Sequence, residues 1–361
     1  MSYDATPFAR PLYALVKPVG ARCNLACSYC YYPPLGEGAR MSDELLDCFT
    51  RQYLEAQTQR EVLFTWHGGE PTLLPVAFYE RALRLQQRYA GWHVCDNALQ
   101  TNGTLLSNDY CRFLHDHHFL VGLSLDGPEA LHDAHRRGRS GQPSWQRVMQ
   151  AVERLERHGV EWNAMAVVTP LTAEATTAFY DFFRRLGCRF LQCTPLFRGT
   201  SDEGESGAWW GDFLCTLWDE WYAHDVGRLF ISLFESVIAN RCGVPPGLCT
   251  LAPVCGDALV VEANGDVFSC DHFADAAHLL GNIRTRPLLD MAYGPEQQDF
   301  RQLKGRLSSP CHACPWLPLC HGECPANRLS DGRSYLCDGY RQFFRHAQPD
   351  IERLARDIGF P

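Results

Sequence analysis

Cysteine constrains this chain more than any other feature. Eighteen of its 361 residues are cysteine, and eleven of them fall into two constellations at opposite ends of the sequence. A load of this kind is explained by a disulfide framework, by structural zinc or by iron–sulfur clusters. A chain of this length that is 46% hydrophobic can bury a sizeable core and does not need disulfide staples. Met1 to Arg10 carries no charged region followed by an apolar run, and no stretch approaches the length of a membrane span. The expected compartment is therefore the cytoplasm, where thiols persist as metal ligands or core residues. With 33 basic against 42 acidic residues, the net charge of −9 leaves no global basic footprint for nucleic acid or an anionic membrane, and neither is expected as a partner.

From Leu12 to Cys193 short apolar runs alternate with amphipathic stretches, the pattern of βαβ units. Candidate strands are Leu12–Val16, Val62–Trp66, Val94–Leu99, Leu120–Leu125, Trp162–Val168 and Phe190–Cys193. Ser42, Ser107 and Ser144 are candidate N-caps of the intervening helices. Six such units suit a partial barrel, and an open doubly wound sheet fits the pattern nearly as well. A polar, glycine-rich link from Arg198 to Gly207 breaks the alternation, followed by an aromatic helical stretch, Trp209 to His224. Beyond Cys242 the texture changes. Ala258 to Ser269 reads as a β-hairpin turning at Asn264-Gly265. These shifts put a boundary near residue 235, giving domains 1–235 and 236–361.

The first constellation is Cys23-x3-Cys27-x2-Cys30, directly after the first candidate strand. Three thiolates on one loop hold three corners of a cubane and leave the fourth iron open, whereas a closed zinc site wants a fourth ligand. The second comprises Cys249, Cys255, Cys270, Cys311, Cys314, Cys320, Cys324 and Cys337, enough for two complete sets of four. Spacing alone leaves zinc open for this segment, since paired Cys-x2-Cys elements are common in zinc folds. The other seven cysteines, Cys48, Cys95, Cys111, Cys188, Cys193, Cys215 and Cys242, read as core or loop thiols.

Cys23, Cys27 and Cys30, with Tyr29 and Tyr31-Tyr32, resemble the signature of radical S-adenosylmethionine (SAM) enzymes. The C-terminal eight resemble the SPASM auxiliary-cluster domain. The whole chain resembles the anaerobic sulfatase-maturating enzymes. The strings that carry this are Phe64-Thr65-Trp66-His67-Gly68-Gly69-Glu70-Pro71, Leu99-Gln100-Thr101-Asn102-Gly103-Thr104 and Gly122-Leu123-Ser124-Leu125-Asp126-Gly127-Pro128. Cys270-Asp271, Leu280-Gly281-Asn282-Ile283 and Tyr335-Leu336-Cys337-Asp338-Gly339-Tyr340 add to them. The implied fold class is α/β, a partial (β/α)6 TIM-like radical SAM barrel with a C-terminal SPASM auxiliary iron–sulfur cluster domain.

The resemblance implies three [4Fe-4S] clusters and S-adenosylmethionine as cofactors. It assigns Cys249, Cys255, Cys270 and Cys324 to one auxiliary centre and Cys311, Cys314, Cys320 and Cys337 to the other. The segment His67-Gly68-Gly69-Glu70 would hold the methionine amine of the cofactor, with Tyr29, Ser124 and Arg136 as further cofactor contacts. The family often has glutamine where this chain has His67. Asp271, fixed beside the expected ligand Cys270, is the candidate general base for a thiol or hydroxyl proton, and Tyr32 is a second candidate near the substrate. The implied reaction is removal of a Cβ hydrogen from a sulfatase cysteine or serine by a 5′-deoxyadenosyl radical. Asp271 takes the side-chain proton, an auxiliary cluster accepts the second electron, and formylglycine results. The implied partners are an unfolded sulfatase segment of Cys/Ser-x-Pro-x-Arg type and a flavodoxin or ferredoxin donor. A maturase that crosslinks a ribosomally made peptide is the nearest alternative; many carry a leader-binding domain, and here 22 residues precede Cys23. A non-catalytic zinc-binding interaction protein is another, and it leaves the open three-cysteine site unexplained.

Overall fold

The computed structural model describes residues 11–32, 40–197 and 207–360. Residues 1–10, where no targeting signal is expected, and residues 198–206 of the expected polar link lie outside them. The chain folds as two compact units. The first comprises Met1–Ser124, Arg136–Trp162 and Gly256–Arg301, and the second Leu125–His135, Asn163–Cys255 and Gln302–Pro361.

All six candidate strands form: β1 (Tyr13–Lys17), β2 (Glu61–Trp66), β3 (Val94–Thr101), β4 (Leu120–Ser124), β5 (Trp162–Val168) and β6 (Phe190–Pro195). In the first unit β1, β2, β3 and β4 run side by side and parallel. In the second, β5, β6 and the short β7 (Phe230–Ile231) do the same. The two-residue periodicity of burial explains why these segments are strands. In β2, Val62, Phe64 and Trp66 point inward while Leu63 and Thr65 stay half-buried. Phe64 and Trp66 meet Phe49, Tyr53, Phe78 and Tyr79 from the two helices behind them, in edge-to-face pairs.

Ser42 and Ser107 cap their helices, each side chain accepting the backbone N–H three residues on. Ser144 precedes the helix Trp145–His158 but makes no side-chain cap bond. Its hydroxyl instead donates to the carbonyl of Arg136 at 2.6 Å, which fixes the segment that carries that arginine.

The expected hairpin is β8 (Ala258–Glu262) and β9 (Asp266–Phe268), with Gly265 at φ +94° in the turn. Its placement differs from the reading of a separate C-terminal texture, because β8 pairs in parallel with β1 from Tyr13↔Ala258 to Lys17↔Glu262. A further strand, β10 (Leu279–Asn282), pairs with β9 through a register shift at Gly281, too short and irregular to read from periodicity. In the second unit the helices Ala208–His224 and Cys337–Asp357 pack through an aromatic core of Trp210, Trp218, Phe343 and Tyr340. They approach closely where glycine meets glycine: a Cβ on Gly211 would lie 2.8 Å from Gly339 Cα.

Candidate active site

The C-terminal ends of neighbouring strands gather the candidate residues of the first unit on one rim, the end of such sheets where active sites sit. His67 to Glu70 follow β2, Asn102 follows β3, Ser124 ends β4, and Lys17 and Glu262 end β1 and β8. The two glycines are needed because the backbone before Cys23 runs against them. Gly69 N donates to Gly20 O and Glu70 N to Arg22 O, both at 2.8 Å, and a Cβ on Gly69 would lie 2.1 Å from Arg22 O.

Glu70 is fully buried. Its Oε1 accepts hydrogen bonds from Thr72 N at 2.9 Å, the Thr72 hydroxyl and the Thr101 hydroxyl, while Oε2 accepts from Asn102 N at 2.7 Å. Burial raises its pKa above the usual carboxylate range, and these donors pull it back. Glu70 thus ties the loop after β2 to the loop after β3. Asn102 continues the chain: its amide contacts Cys23 Sγ at 3.7 Å, and Leu25 N donates to the same sulfur at 3.3 Å. Donors aimed at a cysteine sulfur suit a thiolate cluster ligand. Burial, opposed by the Leu25 hydrogen bond, keeps the Cys23 thiol above its ordinary pKa. The segment around Cys27 and Cys30 is closed by Cys30 N on Cys27 O and pinned by Ala26 N on Arg137 O. Ser124 and Arg136 are both buried, and the Arg136 guanidinium lies 5.4 Å from the centre of the Tyr29 ring.

Asp271 does not stand alone. Its Oδ1 pairs with the ammonium of Lys17, and its Oδ2 accepts a hydrogen bond from the Tyr31 hydroxyl. The adjacent tyrosine, Tyr32, donates instead to Glu262, and Lys17 Nζ lies 3.4 Å from the centre of the Tyr32 ring. Burial would raise the Asp271 pKa, but Lys17 first, then His67 and Tyr31, outweigh it and hold the carboxyl well below its usual range. Glu262 is pushed the other way, chiefly by burial, against Tyr32 and Lys17. His67 is kept below its ordinary pKa by burial. The candidate Tyr32 thus touches Glu262, and it is Tyr31, not singled out from the sequence, that touches Asp271. Sequence reasoning missed Lys17 and Glu262. The available signal was a charge placed immediately after each apolar run, Ala14-Leu15-Val16 and Leu259-Val260-Val261, where a strand reaches the rim.

In the second unit Cys311, Cys314, Cys320 and Cys337 line one cavity of about 240 Å³, with Trp316 and Tyr340 in its wall. Burial, with added repulsion from Cys314, Cys337 and Cys311, pushes the Cys320 thiol up to about 11 despite a hydrogen bond from Gly322 N. Four cysteines lining one cavity of this size leave room for a polynuclear centre, whereas a single tetrahedral ion draws its sulfurs to ~2.3 Å. Cys249, Cys255 and Cys324 all act on the ammonium of Lys304, which is buried and donates to Cys249 O at 2.6 Å and Thr250 O at 2.7 Å. Cys270 lies in the first unit, just after β9. The other seven cysteines are buried or partly buried. No helix among the described residues is long and apolar enough to cross a membrane.

Comparison with known proteins gives two family matches. Residues 18–183 match the Radical SAM superfamily, and residues 249–315 match SPASM, an iron–sulfur cluster-binding domain. A serine-type anaerobic sulfatase-maturating enzyme of Bacteroides thetaiotaomicron is 44% identical over 98% of this chain and 93% of its own length. This chain belongs to the anaerobic sulfatase-maturating enzymes. A cysteine-type sulfatase-maturating enzyme of Clostridium perfringens is 31% identical over 96% of the chain and 99% of its own. Among solved structures, native anSMEcpe with bound AdoMet and the Cp18Cys peptide is 30% identical, with a TM-score of 0.91 over 97% of this chain and 100% of that one. The sulfatase-maturating fold, an α/β radical SAM partial barrel with a SPASM domain, is therefore the fold expected from the sequence.

Proposed function

We propose that this radical SAM oxidoreductase converts one residue of an unfolded sulfatase segment to formylglycine, with serine in a Ser-x-Pro-x-Arg context as its target. The full-length match carries the reading: the serine-type relative is 44% identical, against 31% for the cysteine-type one. In functional terms, residues 1–235 bind S-adenosylmethionine and the peptide, and residues 236–361 carry the auxiliary clusters. The reading includes a cytoplasmic enzyme that meets its target as an unfolded or nascent segment, with a flavodoxin or ferredoxin as electron donor.

Cys23, Cys27 and Cys30 would hold the cluster with an open iron. Cys249, Cys255, Cys270 and Cys324 would hold the second cluster, and Cys311, Cys314, Cys320 and Cys337 the third. When bound, the clusters and S-adenosylmethionine supply single-electron transfer and removal of a Cβ hydrogen. The protein supplies position and charge. Glu70, buried and braced by Thr101 and Asn102, sets the loop that receives the cofactor's amine. Arg136 offers its guanidinium to the cofactor's carboxylate and Ser124 its hydroxyl to the ribose.

Asp271 accepts the target's side-chain proton. Held ionised by Lys17, it is a weak base, too weak for an intact hydroxyl. The proton moves only as the Cβ–H bond is lost and the O–H becomes acidic.

Purified, reconstituted enzyme is to be incubated with reductant, S-adenosylmethionine and paired Ser and Cys peptides, and read by mass spectrometry. Loss of two hydrogens from the Ser peptide is the expected product. Deoxyadenosine formation with neither peptide converted overturns the reading.

A further inference from the structure

Among the described residues, Lys17 is the most deeply buried cation of the first unit, 1% exposed. A buried ammonium needs compensation, and every partner it has belongs to the active rim. It pairs with Asp271 Oδ1 and packs over the ring of Tyr32, and Tyr32 in turn donates to Glu262, the register partner of Lys17 across β1 and β8. His67 and His272 also act electrostatically on the same carboxylate and ammonium.

We propose that Lys17 is a positioning residue of the oxidation: it fixes the Asp271 carboxylate and ties it to the loop that follows Cys30. The inference rests on the reading of Asp271 as proton acceptor. Two independent donors hold the two carboxylate oxygens, Lys17 on Oδ1 and Tyr31 on Oδ2. Rotation about the last side-chain bond would break both contacts. Tyr31 and Tyr32 directly follow Cys30, so the same contacts set the distance between the three-cysteine loop and the carboxylate, residues separated by 240 positions in sequence. Hydrogen removal and proton acceptance must happen at one side chain of the target, so the two sources of chemistry have to stay in register. A displacement of the order of 1 Å costs about a hundredfold in rate.

The test compares wild type, Lys17→Met, Lys17→Arg and Tyr31→Phe, each reconstituted, with deoxyadenosine and formylglycine measured in the same reaction. Cluster absorption and thermal melting are recorded in parallel. In Lys17→Met, deoxyadenosine formation should stay near wild type while formylglycine falls about a hundredfold, with the peptide KM unchanged. Lys17→Arg should restore part of the product and Tyr31→Phe should uncouple the two more weakly. A residue needed only for folding lowers both products together. If Lys17→Met does not fold, Lys17→Arg and Tyr31→Phe decide: a wild-type ratio of formylglycine to deoxyadenosine in the folded variants overturns the proposal, as does parallel loss of both with intact cluster absorption. Wild-type enzyme that makes no formylglycine overturns the functional reading itself, an outcome separate from these.

Discussion

Lys17 and Glu262 close the same rung of a parallel ladder, the last residue of β1 opposite the last residue of β8. A hairpin near residue 260 is thereby stitched to the first strand of the chain, and the two charges meet at the rim where Asp271 and the tyrosines after Cys30 converge.

Removing one member of the buried pair should cost stability as well as activity. Asp271→Asn leaves the Lys17 ammonium buried without its counter-charge, a loss of about 3–5 kcal/mol. Formylglycine should fall about 10²–10⁴-fold with the clusters intact. The double variant Lys17→Met/Asp271→Asn should melt above either single one while remaining inactive. Normal turnover of Asp271→Asn removes Asp271 as the acceptor.

His67 predicts a pH effect on folding. Burial is the main cause lowering its pKa, with Asp271 opposing and Lys17 reinforcing. Between its folded pKa and the ordinary value of about 6.5, the unfolded chain binds more protons than the folded one. Stability is therefore full above that ordinary value and is lost as pH falls through the window. His67→Gln should flatten this slope in urea melts of the apoprotein at stepped pH, and an unchanged slope would show that His67 is not its source.

Glu70→Ala removes an acceptor from Thr72, Thr101 and Asn102 at once. Each donor left buried and unsatisfied costs about 1–3 kcal/mol. Equilibrium binding of S-adenosylmethionine should weaken at least tenfold, because the loops after β2 and β3 lose their common brace; unchanged affinity argues against that role.

Gly211→Ala places a methyl group 2.6 Å from Gln342 Oε1 and 2.9 Å from Gly339 O. The backbone contact cannot yield without parting two helices, so the substitution should destabilise by about 1–3 kcal/mol. A melting temperature equal to wild type would contradict this close approach.

Iron content separates the two C-terminal sets. Wild type should carry about twelve irons, and Cys311→Ala with Cys314→Ala about eight. Zinc in stoichiometric amount with no change in iron would reject the cavity lined by Cys320 and Cys337 as a cluster site.

Much of this protein was legible before folding. The six strands from Tyr13 to Pro195 follow from the alternation of apolar runs, because burial on a pleated backbone repeats every two residues. The cysteine constellations are local in spacing, so Cys23, Cys27 and Cys30, or Cys311, Cys314 and Cys320, announce themselves in a linear string. Ser42 and Ser107 cap helices through neighbours three residues away, also a local matter. Only tertiary structure decided that Ser144 serves Arg136 and not its helix, that Tyr31 and not Tyr32 meets Asp271, and that Lys17 joins them. The last two choices depend on contacts across 240 and 254 residues and on which charge is buried beside which. A side chain's partner and its pKa are properties of the packed site, and no spacing along the chain encodes them.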